Sequence, residues 1–206
     1  MDFSLPPSLV AYLDELDQFI ERDIKPLEET DDNIRFFDYR REWARTDYEG
    51  GGLPRPEWEA LLRKAKDLAD AAGHLRFALS KRYGGKDGSN LWMAVIREHF
   101  ASKGLGLHND LQNEHSIVGN LPLVTMLDRY GRDDQKAMID GSITGKYRIT
   151  FGLTEPRHGS DATHMETRAV PASRDNIKGW LIDGEDVDDR HARRHPLCPV
   201  CAHFRQ

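Results

Sequence analysis

The sequence has few of the features that mark secreted, membrane-spanning or nucleic-acid-binding proteins. Its two cysteines, Cys198 and Cys201, both lie near the C-terminus, so the body of the chain needs no disulfide. No apolar run is long enough to span a bilayer, and no basic block stands out before residue 190, which argues against nucleic acid as a main partner. The first residues, Met1-Asp2-Phe3, resemble neither a secretory signal nor a transit peptide. We therefore expect a cytoplasmic protein, with a mitochondrial or peroxisomal location left open.

The 206 residues that are present suffice for one or two domains, and their pattern changes along the chain. Before residue 146, apolar residues recur at the spacing of amphipathic helices, and Pro26 is predicted to stop the first of them. Residues 28–53 are charged and predicted to be irregular, and they end in the glycine run from Glu49 to Pro54, which is predicted to be a flexible joint inside the domain. Later, β-branched and aromatic residues predict strands over 147–153, 167–172 and 179–183.

Helices followed by strands predict an α+β fold with two structured parts. We expect an N-terminal, all-helical domain over residues 1–145 and the start of a β domain over residues 146–185. Residues 186–206 show neither a strand pattern nor an apolar period, and we expect them to form an aberrant, disordered tail.

One polar segment inside the helical part carries groups that bind metals or transfer protons in other proteins. Residues 108–115 contain His108, His115 and two carboxylates. Their spacing matches no metal-ligand pattern, so a solvated loop with a helix cap is the favoured interpretation and no metal is expected.

Residues 147–161, YRITFGLTEPRHGSD, carry the clearest functional signal. The strand over 147–153 is predicted to run out into a turn rather than a helix, because Glu155 precedes Pro156 and a residue before proline is pushed toward extended geometry. Gly159-Ser160-Asp161 then supplies a flexible residue and two short polar side chains. Such a loop presents N–H and hydroxyl groups that can hold a polar ring edge or an anion. On local chemistry alone, a surface turn is the simpler interpretation.

The order of these residues resembles the flavin-binding strand and loop of the acyl-CoA dehydrogenase family. The motif is Leu-Thr-Glu-Pro, two spacers, then Gly-Ser-Asp at residues 153–161. Weaker matches occur in the same order at Tyr83-Gly84-Gly85, at Tyr130-Gly131 and from Gly179 to Glu185. The resemblance implies a helical domain that leads into an antiparallel, β-barrel-like domain, with a C-terminal helical bundle that we expect to be missing from this chain.

The resemblance also implies a function, the FAD-dependent oxidation of the Cα–Cβ bond of an acyl-CoA thioester, as in fatty-acid β-oxidation. The implied FAD contacts are Phe151, Leu153, Thr154, Gly159 and Ser160. Ser160 is also implied to touch the acyl-CoA substrate. An electron-transfer acceptor is the implied partner protein, and full-length members of the family form homodimers or homotetramers.

No catalytic base is expected in this chain. In the family the base is a glutamate of the later helical bundle, whereas the glutamate of the motif, Glu155 here, is structural. We therefore expect little or no dehydrogenase activity from these residues alone.

The resemblance stops at Glu185, where the family continues with Lys, a spacer and a flavin-contacting Trp near a Thr. Codons for residues 186–193 can be chosen so that the next reading frame spells Met-Trp-Thr-Thr, so we expect a frame-shifted or mis-spliced tail. The tail also has His195, Cys198, Cys201 and His203, a weak resemblance to a zinc knuckle. Two alternatives therefore stay open: a non-catalytic helical interaction fragment and, less favoured, a small zinc-binding protein.

Overall fold

The computed structural model describes residues 4–109, 116–147, 154–157, 159–161, 163–174 and 177–184. The chain divides into two compact units, Met1–Thr144 and Gly145–Gln206. Unit 1 is mainly helical, and each unit contains one small antiparallel sheet. The predicted α+β class is confirmed; in the part of the chain that the structure describes, the sheets have two strands each and no barrel closes.

The helices of unit 1 are short to medium in length. They are α1 (Pro7–Phe19), a π-helical turn (Ile20–Ile24), α2 (Lys25–Glu29), α3 (Arg41–Arg45), α4 (Pro56–Ala71), α5 (Asn90–Ser102), α6 (Pro122–Tyr130), α7 (Asp133–Lys136) and α8 (Ile139–Ile143). Three 3-10 turns, Thr30–Phe36, Lys81–Tyr83 and Leu107–Asn109, connect some of them. None of the described helices is both long and apolar enough to cross a membrane.

The core of unit 1 is built from the apolar faces that the sequence periodicity marks. In α4 the buried residues fall at helical spacing: Trp58, Leu61, Leu62, Ala65 and Ala69. Leu9, Leu16 and Phe19 of α1 and Ile96 and Phe100 of α5 join the same cluster. Because burial of such side chains is the main favourable term in folding, these three helices define the framework of the unit.

Pro26 does not stop the first helix, contrary to the sequence prediction. The chain stays helical from Pro7 to Glu29, through a π-helical turn just before the proline. The N–H of Lys25 bonds to the carbonyl of Ile20, and Pro26 lies in the first turn of α2. A proline is tolerated there because it has no N–H to satisfy, and π-turns accommodate interruptions of this kind.

The segment 28–53 is also more ordered than predicted. It contains the 3-10 turn Thr30–Phe36, α3 and a hairpin in which β1 (Thr46–Asp47) pairs with β2 (Leu53–Pro54). The glycine run lies at the tip of this hairpin, where Gly51 and Gly52 have positive φ angles. Arg45 on α3 donates from Nε to the carbonyl of Phe36 at 2.7 Å, which ties the segment to the core.

Unit 2 contains a second hairpin of longer strands. β3 (Arg168–Arg174) pairs with β4 (Ile177–Asp183) in antiparallel register, with Val170 opposite Leu181 and Pro171 opposite Trp180. Both strands are longer than predicted. Tyr147, the first residue of the predicted strand 147–153, is not in a strand, and residues 148–153 lie outside the described residues.

Candidate functional site

The bend that begins at Thr154 is held by a buried carboxylate. Glu155 is 5% exposed, and its two carboxylate oxygens accept hydrogen bonds from the backbone N–H groups of Glu166 and Thr167 at 2.6 and 2.7 Å. These bonds join the bend to the residues just before β3. The carboxylate is therefore occupied by backbone donors, and Glu155 has the geometry of a structural residue rather than of a free general base.

The polar residues of the bend face solvent. Thr154, Gly159 and Ser160 are exposed, and a Cβ added to Gly159 would have no neighbour within 4 Å. Asp161 closes the end of the bend by accepting hydrogen bonds from the backbone N–H and the hydroxyl of Thr163, at 3.1 and 2.6 Å. Phe151 and Leu153, the apolar members of the predicted flavin site, lie outside the described residues.

This bend has the chemistry that FAD requires at its polar edge. FAD offers carbonyl oxygens, ring nitrogens and a pyrophosphate, all of which accept hydrogen bonds. Two exposed hydroxyls, on Thr154 and Ser160, are donors, and the open space beside Gly159 allows close backbone approach. The described residues of the bend therefore offer donors that suit FAD, the cofactor that the family resemblance implies.

Unit 1 has an open cleft beside α1 and the N-terminus of α5, of about 460 Å³. It is lined by Ser8, Ala11, Tyr12, Glu15, Phe77, Lys86, Asp87, Gly88, Ser89 and Trp92. The Tyr12 and Phe77 rings stack with centroids 5.3 Å apart, and the ring centroids of Phe77 and Trp92 are 6.5 Å apart. The Lys86 ammonium is 5.3 Å from the centre of the Tyr12 ring. We call this the α1–α5 cleft.

The loop that forms one wall of the α1–α5 cleft is fixed by its backbone. The N–H groups of Asp87 and Gly88 donate to the carbonyls of Leu79 and Phe77, each at 2.9 Å. A Cβ on Gly88 would lie 2.1 Å from the Phe77 ring, so only glycine fits there. Ser89 then caps α5 by accepting from the N–H of Trp92 at 3.2 Å.

A buried histidine that no sequence motif marks lies beneath the α1–α5 cleft. His74 is 2% exposed, and its Nδ1 is 3.1 Å from the Tyr12 hydroxyl oxygen. Its Nε2 is 3.9 Å from a carboxylate oxygen of Glu15. Burial lowers the pKa of His74 and raises the pKa of Tyr12, so both groups favour their neutral forms.

His108 is buried, which corrects the expectation of a solvated loop at this residue. It is 4% exposed, its Nδ1 is 3.9 Å from a carboxylate oxygen of Glu28, and its ring meets Phe100 edge-on. Glu28 also accepts the N–H of Leu107 at 2.6 Å, so the turn docks on α2. Residues 110–115 lie outside the described residues, and within those described no three His, Cys, Asp or Glu side chains gather as a metal site.

Comparison with known proteins shows which class of protein this chain resembles. No protein-family profile matches the chain, and no solved structure matches it. Among curated proteins, a probable acyl-CoA dehydrogenase of Bacillus subtilis is 32% identical over 111 residues, 53% of this chain and 17% of the relative.

Two further relatives have similar identity. The caffeyl-CoA reductase–Etf complex subunit CarC of Acetobacterium woodii is 30% identical over 151 residues, 73% of this chain and 35% of the relative. Acyl-CoA dehydrogenase FadE12 of Mycobacterium tuberculosis is 28% identical over 120 residues, 58% of this chain and 28% of the relative.

The described residues form an α+β protein with polar, exposed residues at Thr154, Gly159 and Ser160. The relatives confirm the resemblance of this chain to the acyl-CoA dehydrogenase family. The matched part spans between 17% and 35% of the length of these relatives.

Proposed function

We propose that this chain is part of an FAD-dependent acyl-CoA dehydrogenase that introduces a double bond between Cα and Cβ of an acyl-CoA thioester. The observation that carries the proposal is the exposed polar bend from Thr154 to Ser160, held in place by the buried carboxylate of Glu155. It lies in a chain whose relatives are named as acyl-CoA dehydrogenases.

In this proposal each residue of the bend has a separate task. FAD, when bound, supplies the redox chemistry by taking up the hydride from Cβ. The Thr154 hydroxyl bonds to the polar edge of the ring, while Phe151 and Leu153 give apolar contact and exclude water. Gly159 and Ser160 approach the pyrophosphate, and the Ser160 hydroxyl also touches the acyl-CoA. Donors fixed in advance at these points favour the charge that reduction brings to the ring edge.

The proton of Cα has to be taken by a group outside the described site. Glu155 is unsuited to this task because both of its carboxylate oxygens are engaged by backbone N–H groups. We therefore propose that the base is supplied by a segment corresponding to a part of the relatives that this chain does not match. These residues alone then give little or no turnover.

We infer further that the α1–α5 cleft receives the electron-transfer acceptor. One relative is named as a subunit of an Etf complex, and its match covers 73% of this chain. The cleft offers an aromatic floor, with Lys86 and Glu15 as charged groups among its lining residues. An apolar side chain of a partner protein, flanked by groups of either charge, has the chemistry that fits such a cleft.

The main alternative is a helical interaction fragment without catalysis. Unit 1 favours this alternative, because its core and its cleft are formed without any residue of the bend from Thr154 to Ser160. The alternative of a zinc-binding protein rests only on the tail from His195 to His203, which lies outside the described residues.

Titration of the purified chain with FAD separates these functions. We expect quenching of flavin fluorescence with a saturable binding curve, and binding at least several-fold weaker in a Thr154→Val, Ser160→Ala double variant. Ser173→Ala, an exposed serine on β3, is the matched control and should bind as the parent does. Absence of saturable binding would favour the interaction fragment. Reduction of bound flavin by acyl-CoA would contradict the absence of a base.

A further inference from the structure

Three aspartates of the chain are followed directly by glycine, at Asp87-Gly88, Asp140-Gly141 and Asp183-Gly184. An aspartate before glycine can close a five-membered succinimide ring, because glycine has no Cβ to keep its nitrogen away from the side-chain carboxyl. All three aspartates are exposed, so access of solvent does not distinguish them. They differ in how firmly the backbone around each of them is held.

Ring closure requires movement of the peptide group between the aspartate and the glycine. This peptide group turns about the Cα–C bond of the aspartate until the glycine nitrogen reaches Cγ. A hydrogen bond made by the aspartate carbonyl or by the glycine N–H, which belong to the same peptide group, therefore opposes the reaction.

The peptide groups after Asp87 and Asp140 are fixed in unit 1. The N–H of Gly88 donates to the carbonyl of Phe77 at 2.9 Å. Asp140 lies in α8, where its carbonyl accepts the N–H and the hydroxyl of Thr144 at 3.0 and 2.9 Å. Ring closure at either aspartate would have to break these bonds.

The register of the β3–β4 hairpin shows which of its residues are hydrogen-bonded across the ladder. The pair Arg174–Ile177 closes the hairpin with two residues between its members, so it is a hydrogen-bonded pair and every second pair is bonded in the same way. Pro171, which has no N–H, falls at a non-bonded position, as this alternation requires. The pair Arg168–Asp183 is then the last bonded pair, at the open end of the hairpin.

This position leaves one ladder bond to oppose ring closure at Asp183. Its carbonyl accepts the N–H of Arg168, whereas Gly184, the next residue, directs its N–H away from β3. The last pair of a two-stranded hairpin opens more readily than bonds in a structure that is packed on a core. The backbone of Asp183-Gly184 is therefore held least firmly of the three.

We propose that Asp183-Gly184 is a site of spontaneous isoaspartate formation, and that the fold protects Asp87-Gly88 and Asp140-Gly141 from the same reaction. A C–N bond forms between the Gly184 nitrogen and Cγ of Asp183, and one carboxyl oxygen leaves as water with the proton of the nitrogen and one further proton. Water then opens the ring. Opening at the main-chain carbonyl leaves Gly184 joined through Cγ, with a free α-carboxylate and one additional methylene in the backbone.

The modified residue would be a substrate for an isoaspartyl carboxyl methyltransferase, because its free α-carboxylate is the group that such enzymes methylate. The site belongs to the β3–β4 hairpin, and its chemistry does not depend on the function proposed above.

Mass spectrometry of the full chain after prolonged incubation at near-neutral pH tests this site against two internal controls. Fragmentation by electron-transfer dissociation distinguishes isoaspartyl from aspartyl residues in the digested peptides. We expect isoaspartate to accumulate at least several-fold faster at Asp183 than at Asp87 and Asp140. In urea the fold no longer holds any of the three peptide groups, and the three rates should become similar.

Asp183→Glu provides a matched variant. It keeps the negative charge opposite Arg168 but would need a six-membered ring, so the rearranged product should be lost at this position while the rates at Asp87 and Asp140 stay as in the parent. Equal accumulation at the three sites of the folded chain would overturn the proposal. Absence of isoaspartate at Asp183 in the folded chain, over a time in which the chain in urea forms it, would overturn it as well.

Discussion

Glu155 shows how far a single residue can be understood from its place in a motif. The order of residues 153–161 marked it as part of a bend, and the family resemblance implied a structural role for it. Its actual role depends on the N–H groups of Glu166 and Thr167, which are distant in sequence from any pattern that includes Glu155. The burial of His74 and His108 could not be predicted from the sequence either, because it results from the packing of several helices.

Removal of the Glu155 charge should loosen the bend. In Glu155→Gln, one oxygen is replaced by an NH₂ group that faces a backbone donor, which should cost about 1–3 kcal/mol locally. We expect the amides of Glu166 and Thr167 to exchange with deuterium roughly ten- to a hundredfold faster. Glu166→Gln, at an exposed carboxylate, is the control and should change these rates little. Unchanged protection in Glu155→Gln would contradict the structural role.

Secondary-structure elements were predictable where one apolar face meets the core. α4 and α5 follow their periodicity, and Ser89 caps α5 because a serine before the helix offers an acceptor to a free N–H. The helix through Pro26 was missed because a π-turn depends on packing rather than on local preference. The hairpin of β1 and β2 was missed because two-residue strands leave no detectable alternation.

The contact between α1 and α5 predicts a pH-dependent stability. Asp17 on α1 accepts from His99 Nε2 at 2.7 Å and pairs with Lys103 at 2.9 Å. Burial disfavours the Asp17 charge, but the hydrogen bonds from Lys103 and His99 outweigh it and hold the pKa of Asp17 below its usual 3.8. The stabilisation is therefore present above pH 3.8 and is lost as the pH falls through the lowered pKa.

Urea unfolding of Asp17→Asn checks this contact. The side chain of Asp17 is 34% exposed. We therefore expect Asp17→Asn to lower the free energy of unfolding by up to about 1 kcal/mol at pH 7, and to differ less from the parent in acid. Asp14→Asn, an exposed carboxylate on the same helix, should fall within about 0.5 kcal/mol of the parent. Equal decreases in the free energy of unfolding in the two variants would show that the contacts of Asp17 with His99 and Lys103 do not stabilise the packing of α1 on α5.

The whole molecule combines a well-packed unit 1 with an exposed hairpin in unit 2. The opposed pairs Val170–Leu181 and Pro171–Trp180 fall on alternate faces of the hairpin, and Val170, Trp180 and Leu181 are 51%, 62% and 47% exposed. A two-stranded hairpin with both faces in water is marginally stable. The α+β class was predictable from the change in periodicity, whereas the exposure of this hairpin follows only from the three-dimensional structure.

Hydrogen exchange should therefore differ strongly between the units. We expect backbone amides of Val170 and Leu181 to exchange at least a hundredfold faster than those of Leu62 and Ile96, which are buried residues of α4 and α5. Mass spectrometry of pepsin fragments provides the measurement. Comparable protection in the two units would mean that the hairpin faces are covered in solution.

The proposed function requires that the bend from Thr154 to Asp161 binds FAD. The most direct measurement is a hydrogen-exchange footprint of the chain, with and without saturating FAD, resolved at the residues of this bend. We expect slower exchange at Thr154, Gly159 and Ser160 when FAD is present. FAD binding with unchanged exchange at the bend, and protection elsewhere, would contradict it.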